Sequence, residues 1–123
     1  MSSITPTYVA VVDDDENICR SFGRLLRAAG LQPVTYDSAE SFLADAKHPR
    51  FGCLVLDIQL GDMSGIELAQ RLSAAGGSAP IIFITAHDNP EARSAADALG
   101  CAAYFRKMDS GEEVLKAIRK AVL

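Results

Sequence analysis

The sequence predicts a doubly wound α/β domain, in which helices cover both faces of a parallel sheet. Strand-like and helix-like segments alternate five times along the chain. The strand-like segments are nearly continuous apolar runs, which are typical of strands buried on both faces. A length of 123 residues suits one core. We therefore expect residues 1–123 to form a single domain with right-handed crossovers.

Four of the predicted strands are strongly apolar and one is weaker. The strong strands are Tyr8–Val12, Cys53–Leu56, Ile81–Ile84 and Cys101–Phe105. The weak one, Pro33–Tyr36, is short and less apolar than the others, which favours the edge of a sheet. We therefore expect this second strand to lie at an edge.

The helices are indicated by apolar side chains that repeat on one face and by capping residues. The first carries Ile18, Phe22 and Leu26 on one face and stops at Gly30. The second opens at the capping box Asp37–Glu40. The predicted ranges are 14–29, 37–46, 65–75, 91–99 and 111–123.

Composition excludes several classes of protein. A net charge of −4 and a pI near 5.0 argue against direct contact with DNA, which needs a basic face. Cys19, Cys53 and Cys101 are odd in number, and two lie in apolar strands, so we expect reduced thiols. The sequence has no apolar run of the ~20 residues that span a bilayer, and its start does not resemble a signal peptide. We expect a soluble cytoplasmic protein without a membrane partner.

Polar side chains follow the strong strands at the points where they end. Asp13 and Asp14 follow the first strand, Asp57 the third, Thr85 the fourth and Lys107 the fifth. The carboxyl ends of parallel strands meet at one edge of a sheet, where ligands of such folds bind. We therefore expect three carboxylates, a hydroxyl and an ammonium to converge there.

This set of groups is typical of magnesium-assisted phosphoryl chemistry. Neighbouring carboxylates raise one another's pKa unless a cation compensates, and Mg²⁺ prefers carboxylate oxygens, water and phosphate. Asp57 stands alone on a central strand, so it is the candidate nucleophile, which would form an acyl phosphate. Asp13 and Asp14 would hold the metal directly or through water. Lys107 and the Thr85 hydroxyl would offset charge on the phosphoryl oxygens.

Each of these residues also has a simpler interpretation. An acidic run such as Asp13–Asp15 often caps the helix that follows it. Lys107 alone would be a solvated lysine, and Thr85 alone a hydroxyl bonded to backbone. His48 and His87 do not form a zinc constellation. The joint placement of the acids, the lysine and the threonine favours a site.

Five motifs together resemble the response-regulator receiver domain of bacterial two-component signalling. They are Val11–Asp14, Leu56-Asp57, Met63–Gly65, Thr85-Ala86 and Lys107. The resemblance extends over essentially the whole chain. It implies a flavodoxin-like (βα)₅ fold with strand order 2-1-3-4-5, which is carried over from the family rather than worked out from the residues.

The resemblance also implies roles for individual residues. Asp57 would accept a phosphoryl group from a sensor histidine kinase or a phosphotransfer protein. Asp14, Asp57 and the backbone carbonyl of Gln59 would bind Mg²⁺, or Mn²⁺ in its place, and Asp13 would act through water. The domain would catalyse only its own phosphorylation and dephosphorylation, without being an enzyme for other substrates.

A switch and an output surface are implied in the same way. Thr85 and Tyr104 match the family's switch pair, in which the hydroxyl moves toward the phosphoryl group and the ring turns inward. The surface of the fourth helix, fifth strand and fifth helix would then change for a partner or for a homodimer. Gln59 and His87 occupy the positions that tune the lifetime of the phosphoryl group.

The chain departs from the family pattern in two loops. Met108 follows the lysine where the family usually has a proline in a cis peptide. Because a non-proline cis bond costs ~3 kcal/mol, we expect the Lys107–Met108 bond to be trans. Gly61-Asp62 replaces a common proline, which makes the loop beside the metal site more flexible and more acidic.

Two other classes of protein fit the residues less well. An aspartyl-nucleophile phosphohydrolase would need a second acid two residues after Asp57, where this chain has Gln59. A flavodoxin-like cofactor binder would need a phosphate loop after the first strand, where acids would instead repel the phosphate of FMN. The residues leave open whether the receiver stands alone or is part of a longer DNA-binding regulator.

Overall fold

The computed structural model describes residues 6–123, in which five strands alternate with five helices. In chain order these elements are β1 (Tyr8–Val12), α1 (Glu16–Ala28), β2 (Gln32–Tyr36), α2 (Ala39–Ala44), β3 (Phe51–Asp57), α3 (Gly65–Ala74), β4 (Ile81–Thr85), α4 (Pro90–Ala98), β5 (Ala103–Arg106) and α5 (Gly111–Val122). None of these helices is long and apolar enough to cross a membrane.

The strands form one parallel sheet in the order β2-β1-β3-β4-β5. The predicted fold class is confirmed, and so is the strand order that the family resemblance implied. The weak strand β2 lies at an edge, as expected. The chain runs outward in opposite directions from β1 and β3, so a crevice opens between their carboxyl ends.

The core consists of two layers, one on each face of the sheet. Alternate side chains of the central strands point to opposite faces, so Val11 packs beneath α1 and α5 while Val12 packs beneath the other three helices. Leu26 and Ile118 close the first layer and are fully buried. Each fully buried large apolar side chain stabilises the fold by roughly 1.5–3 kcal/mol. Apolar burial therefore holds the strand ends in register.

Several element boundaries differ by one or two residues from the sequence prediction, and three of the differences have a clear physical reason. Helix α1 begins at Glu16, two residues later than predicted, because Asp15 caps it by accepting hydrogen bonds from the amides of Asn17 and Ile18. The capping box of α2 is formed by Ser38 and Ser41 rather than by Asp37 and Glu40.

Strand β5 begins at Ala103 rather than at Cys101. The amides of Gly100 and Cys101 donate to the carbonyls of Asp97 and Ala96 and so complete the end of α4.

Every peptide bond within residues 6–123 is trans, including Lys107–Met108, as expected. The Met108 side chain is 80% exposed.

Gly65 lets the start of α3 approach the end of β3. Its amide donates to the Ile58 carbonyl at 3.0 Å, and a Cβ atom at this position would collide with the carbonyl group of Asp57. The obstacle is backbone, which cannot swing aside as a side chain does. Gly65 therefore fixes the distance between α3 and the strand end that carries Asp57.

We predict that Gly65→Ala destabilises the protein by roughly 1–3 kcal/mol, because α3 must move away from β3. Urea unfolding measures the change. The matched control is Gly23→Ala in α1, where an added Cβ meets only the flexible end of Arg27 and the helix gains intrinsic stability. Equal stability of the two variants would contradict this account.

Candidate functional site

The Lys107 ammonium joins the ends of three strands. Its Nζ atom lies 3.0 Å from Asp57 Oδ2 and 3.0 Å from Asp13 Oδ2, and it donates to Asp13 Oδ1 at 3.1 Å. Asp13 and Asp57 are 0% and 1% exposed, and the lysine side chain is 18% exposed. The structure therefore brings two buried carboxylates and one ammonium together at the carboxyl edge of the sheet.

Three acids form a pocket beside this ammonium. Asp13, Asp14 and Asp57 each offer a carboxylate oxygen, and these oxygens lie within 4.8 Å of one another. Asp14 is exposed, unlike the other two. Asp15 points away from the pocket as the cap of α1, although its amide donates to Asp13 Oδ1 at 2.9 Å.

The oxygen chemistry of the pocket fits a hard divalent cation. Asp13 Oδ2 is buried, and no group within residues 6–123 donates a hydrogen bond to it in good geometry. Its 3.0 Å contact with Lys107 Nζ is a charge contact only. A buried carboxylate oxygen with unused lone pairs, next to two further carboxylates, is the kind of ligand that Mg²⁺ prefers.

The acid pocket contains more carboxyl groups than positively charged groups. Burial raises the pKa of Asp57 to about 6; the Lys107 hydrogen bond opposes the rise and the charge of Asp13 adds to it. Burial alone lowers the pKa of Lys107, but its hydrogen bonds to Asp57 and Asp13 outweigh burial and raise it overall. One permanently charged ammonium therefore faces three carboxyl groups, and a cation would relieve the remaining repulsion.

The β3–α3 loop folds back over Asp57. The Gln59 amide donates to Asp57 Oδ1 at 3.1 Å, and the Ile58 amide donates to the Ile84 carbonyl. Both oxygens of Asp57 are thereby held, one by Gln59 and one by Lys107. Gly61 in this loop has φ +90°, a left-handed conformation that suits glycine.

The Thr85 hydroxyl is buried but is not bonded to Asp57. Its Oγ1 lies 2.9 Å from Gln59 Oε1 and 2.9 Å from the His87 carbonyl, and it accepts from the His87 amide at 3.1 Å. A hydroxyl has one proton, so Thr85 can donate to only one of these two oxygens. If it donates to the His87 carbonyl, the contact with Gln59 is satisfied when the Gln59 amide is turned so that its NH₂ group donates to Oγ1. Sequence reasoning missed this role of the Gln59 side chain, which lies 26 positions from Thr85.

Tyr104 lies outside the pocket, at the protein surface. Its hydroxyl donates to Asp88 Oδ1 at 3.1 Å, and the Arg93 guanidinium lies 5.0 Å from the ring centroid. His87 is exposed, and its backbone rather than its ring contacts Thr85. His48 is also exposed and stacks on Phe42 and Phe51, far from any acid cluster.

Comparison with known proteins gives one consistent result. A family model described as response regulator receiver domain matches residues 9–119. The response regulator protein TmoT of Ectopseudomonas mendocina is 37% identical over 117 residues, which are 94% of this chain and 53% of TmoT. The transcriptional regulatory protein FixJ of Rhizobium meliloti (strain 1021) is 36% identical over 119 residues, which are 96% of this chain and 58% of FixJ.

A solved structure agrees. The response regulator receiver protein from Burkholderia phymatum is 39% identical, with a TM-score of 0.81, and 94% of each chain is covered. The chain spans about half the length of the curated relatives it matches. The likeness therefore concerns one domain of those longer proteins.

We predict that Asp57→Asn stabilises the metal-free protein by roughly 1–3 kcal/mol at about pH 7.5. The folded protein binds the Asp57 proton more tightly than the unfolded chain, since the pKa rises from 3.8 to about 6. The favourable contribution of this carboxyl is thus complete below about pH 4 and is lost as the pH rises through 6.

The difference between the two proteins should therefore shrink between pH 6 and 4, as measured by urea unfolding in a chelator. Asp62→Asn, which removes an exposed carboxylate from the same loop, is the control and should change little. A wild type more stable than Asp57→Asn at about pH 7.5 would refute the assignment of Asp57 as an unfavourable buried acid.

Proposed function

The chain belongs to the response regulator receiver domain family, and on that premise we propose that Asp57 is its phosphoryl acceptor. The observation that carries the proposal is the Lys107 ammonium held 3.0 Å from Asp57 by a second, fully buried acid, Asp13. Asp57 combines the end of the central strand β3 with an ammonium on one carboxylate oxygen and a loop amide on the other.

The reaction transfers a phosphoryl group from a phosphohistidine to the Asp57 carboxylate. A carboxylate oxygen attacks phosphorus, the new O–P bond forms, and the P–N bond breaks with its electron pair returning to the donor imidazole. Lys107 offsets the negative charge on the phosphoryl oxygens. The Gln59 amide orients the carboxylate through the bond that it already donates to Oδ1.

We assign the metal ligands to Asp14, Asp57 and the Gln59 carbonyl, with Asp13 acting through water. Mg²⁺, or Mn²⁺ in its place, would neutralise charge on the phosphoryl oxygens when bound. The closeness of the three acids and the unused lone pairs of Asp13 Oδ2 support this assignment.

The switch roles complete the proposal. Thr85 would leave Gln59 and His87 to bond the phosphoryl group, and Tyr104 would turn inward in response. The side chains of Gln59 and His87 would set how long the phosphoryl group lasts. The surface of α4, β5 and α5 would then bind a partner or a second copy of the chain.

We propose that the full range 1–123 is one receiver domain that works in the cytoplasm with a sensor histidine kinase or a phosphotransfer protein. It would process only its own phosphoryl group. Direct DNA binding by these residues is disfavoured by the net charge of −4. The phosphohydrolase alternative lacks its second acid, because position 59 is a glutamine whose side chain holds Thr85.

We predict that the protein takes up one base-labile phosphoryl group when incubated with Mg²⁺ and a small acyl phosphate, because Asp57 is the nucleophile. Intact-mass measurement and peptide mapping after reduction of the acyl phosphate locate the group. Asp57→Asn should remain unlabelled. Labelling of Asp57→Ala, or an unchanged wild-type mass with saturating donor, would exclude Asp57 as the acceptor.

We predict that the two exposed acids Asp14 and Asp15 behave differently. Asp14→Ala should abolish labelling at ordinary Mg²⁺ concentrations, because it removes a proposed metal ligand. Asp15→Ala should keep labelling and lose only about 1 kcal/mol of stability, since this side chain caps α1. Labelling and urea unfolding of both variants provide the test, and equal loss of labelling in the two would mean that the acids are misassigned.

A further inference from the structure

We propose that Asp88 and Arg93 form a latch on Tyr104 that stabilises the resting form of the receiver. The latch consists of the Tyr104 hydroxyl bond to Asp88 and the Arg93 guanidinium over the Tyr104 ring. This inference rests on the proposed function, because it assigns a regulatory role to residues around the Thr85 and Tyr104 pair. Neither Asp88 nor Arg93 belongs to the acid pocket or to the phosphoryl-transfer machinery.

The two contacts restrain Tyr104 in different directions. Asp88 Oδ1 accepts from the hydroxyl at 3.1 Å and fixes the tip of the side chain, and Arg93 Cζ at 5.0 Å from the centroid covers one face of the ring. Burial and the Asp88 bond both raise the pKa of Tyr104, so its hydroxyl stays a donor at neutral pH. The ring is half-buried against the core, whereas Asp88 and Arg93 are exposed.

The latch matters because little else anchors the start of α4. Ala96 is the one fully buried residue of this helix, and Ala92 and the C-cap residue Leu99 are partly buried against the same core layer. The two alanine side chains bury little apolar area, so their contribution to holding the helix is small. The bond from the β4–α4 loop and the stacking from Arg93 therefore add contacts that tie the start of α4 to β5.

A continuous chain of bonds connects this latch to the acceptor. The Gln59 amide bonds Asp57, the Gln59 side chain bonds Thr85, and Thr85 Oγ1 bonds both the amide and the carbonyl of His87. Asp88 follows His87 directly. If Thr85 moves toward a phosphoryl group, both His87 bonds break, and the loop that positions Asp88 is released.

The coupling between the latch and the Asp57 site must act in both directions. Two sites that bias one equilibrium do so reciprocally, so loosening the latch must favour phosphorylation by the factor by which phosphorylation loosens the latch. A hydrogen bond to a carboxylate and an exposed cation–π contact are each modest, and we expect roughly fivefold per contact in the resting-to-active equilibrium.

The experiment follows Tyr104 in the full chain by ¹⁹F NMR with 3-fluorotyrosine. The chain has three tyrosines, and Tyr104→Phe identifies the signal of interest. Broadening by a soluble, uncharged paramagnetic chelate reports exposure of the ring. Removing Arg93 by itself would uncover one ring face and increase broadening, so a decrease in broadening means that the ring has turned inward. Wild type before and after labelling at Asp57 defines the resting and active extremes.

Without phosphodonor, Asp88→Ala and Arg93→Ala should each reduce broadening of the Tyr104 signal, and the double variant should reduce it further. The fraction of protein labelled at limiting donor should rise in the same order, by up to roughly fivefold for each single variant. Asp97→Ala is the matched control, because Asp97 is an exposed acid of α4, whereas Asp88 is the acid that accepts the Tyr104 hydroxyl bond. Arg93→Ala alone tests the latch if Asp88→Ala does not fold.

Unchanged exposure of Tyr104 in the latch variants, with a clear change in labelled wild type, would overturn the latch and leave the proposed function standing. Absence of wild-type labelling would instead overturn the proposed function. In that case, the comparison of latch variants without donor still decides the latch, because greater burial of Tyr104 in the variants supports it and unchanged exposure rejects it.

Discussion

The Lys107 ammonium, which contacts both Asp13 and Asp57, is the interaction on which the site depends. Two carboxylates with almost no solvent access repel each other and have lost their hydration, which is unfavourable unless a cation lies between them. The lysine provides that charge from the far end of the chain, 50 positions after Asp57. Removing Lys107 would leave two buried carboxylates without a neighbouring cation, whereas removing one acid leaves the lysine paired with the other.

The parallel sheet allows this arrangement because all of its strands end at the same edge. Side chains that are distant in sequence therefore meet there. Apolar layers on both faces keep the central strands in register, with Asp57 level with Ile84 on its neighbour. Gly65 then allows α3 to begin directly against the Asp57 carbonyl. The polar site is therefore buried where it meets the core, and it reaches solvent at Asp14 and in part at Lys107.

Beyond the acids, the site continues as a hydrogen-bonded path rather than ending at Asp57. Thr85 is satisfied by Gln59 and by the backbone of the β4–α4 loop, so its hydroxyl cannot turn to a new partner without breaking existing bonds. Such a buried, fully bonded group favours discrete arrangements over gradual ones. That property fits the switch proposed for Thr85 and Tyr104.

The alternation of strands and helices could be predicted from sequence, because each apolar run is a property of neighbouring residues. The meeting of the polar strand ends could be predicted too, because parallel strands end at one edge in any such sheet. Strand order came from family resemblance. Tertiary structure decided that Asp15 caps α1, since several adjacent acids suited that position. It also decided the partners of Thr85 and Tyr104, because Gln59 and Asp88 are distant in sequence and only packing brings their side chains within hydrogen-bonding distance.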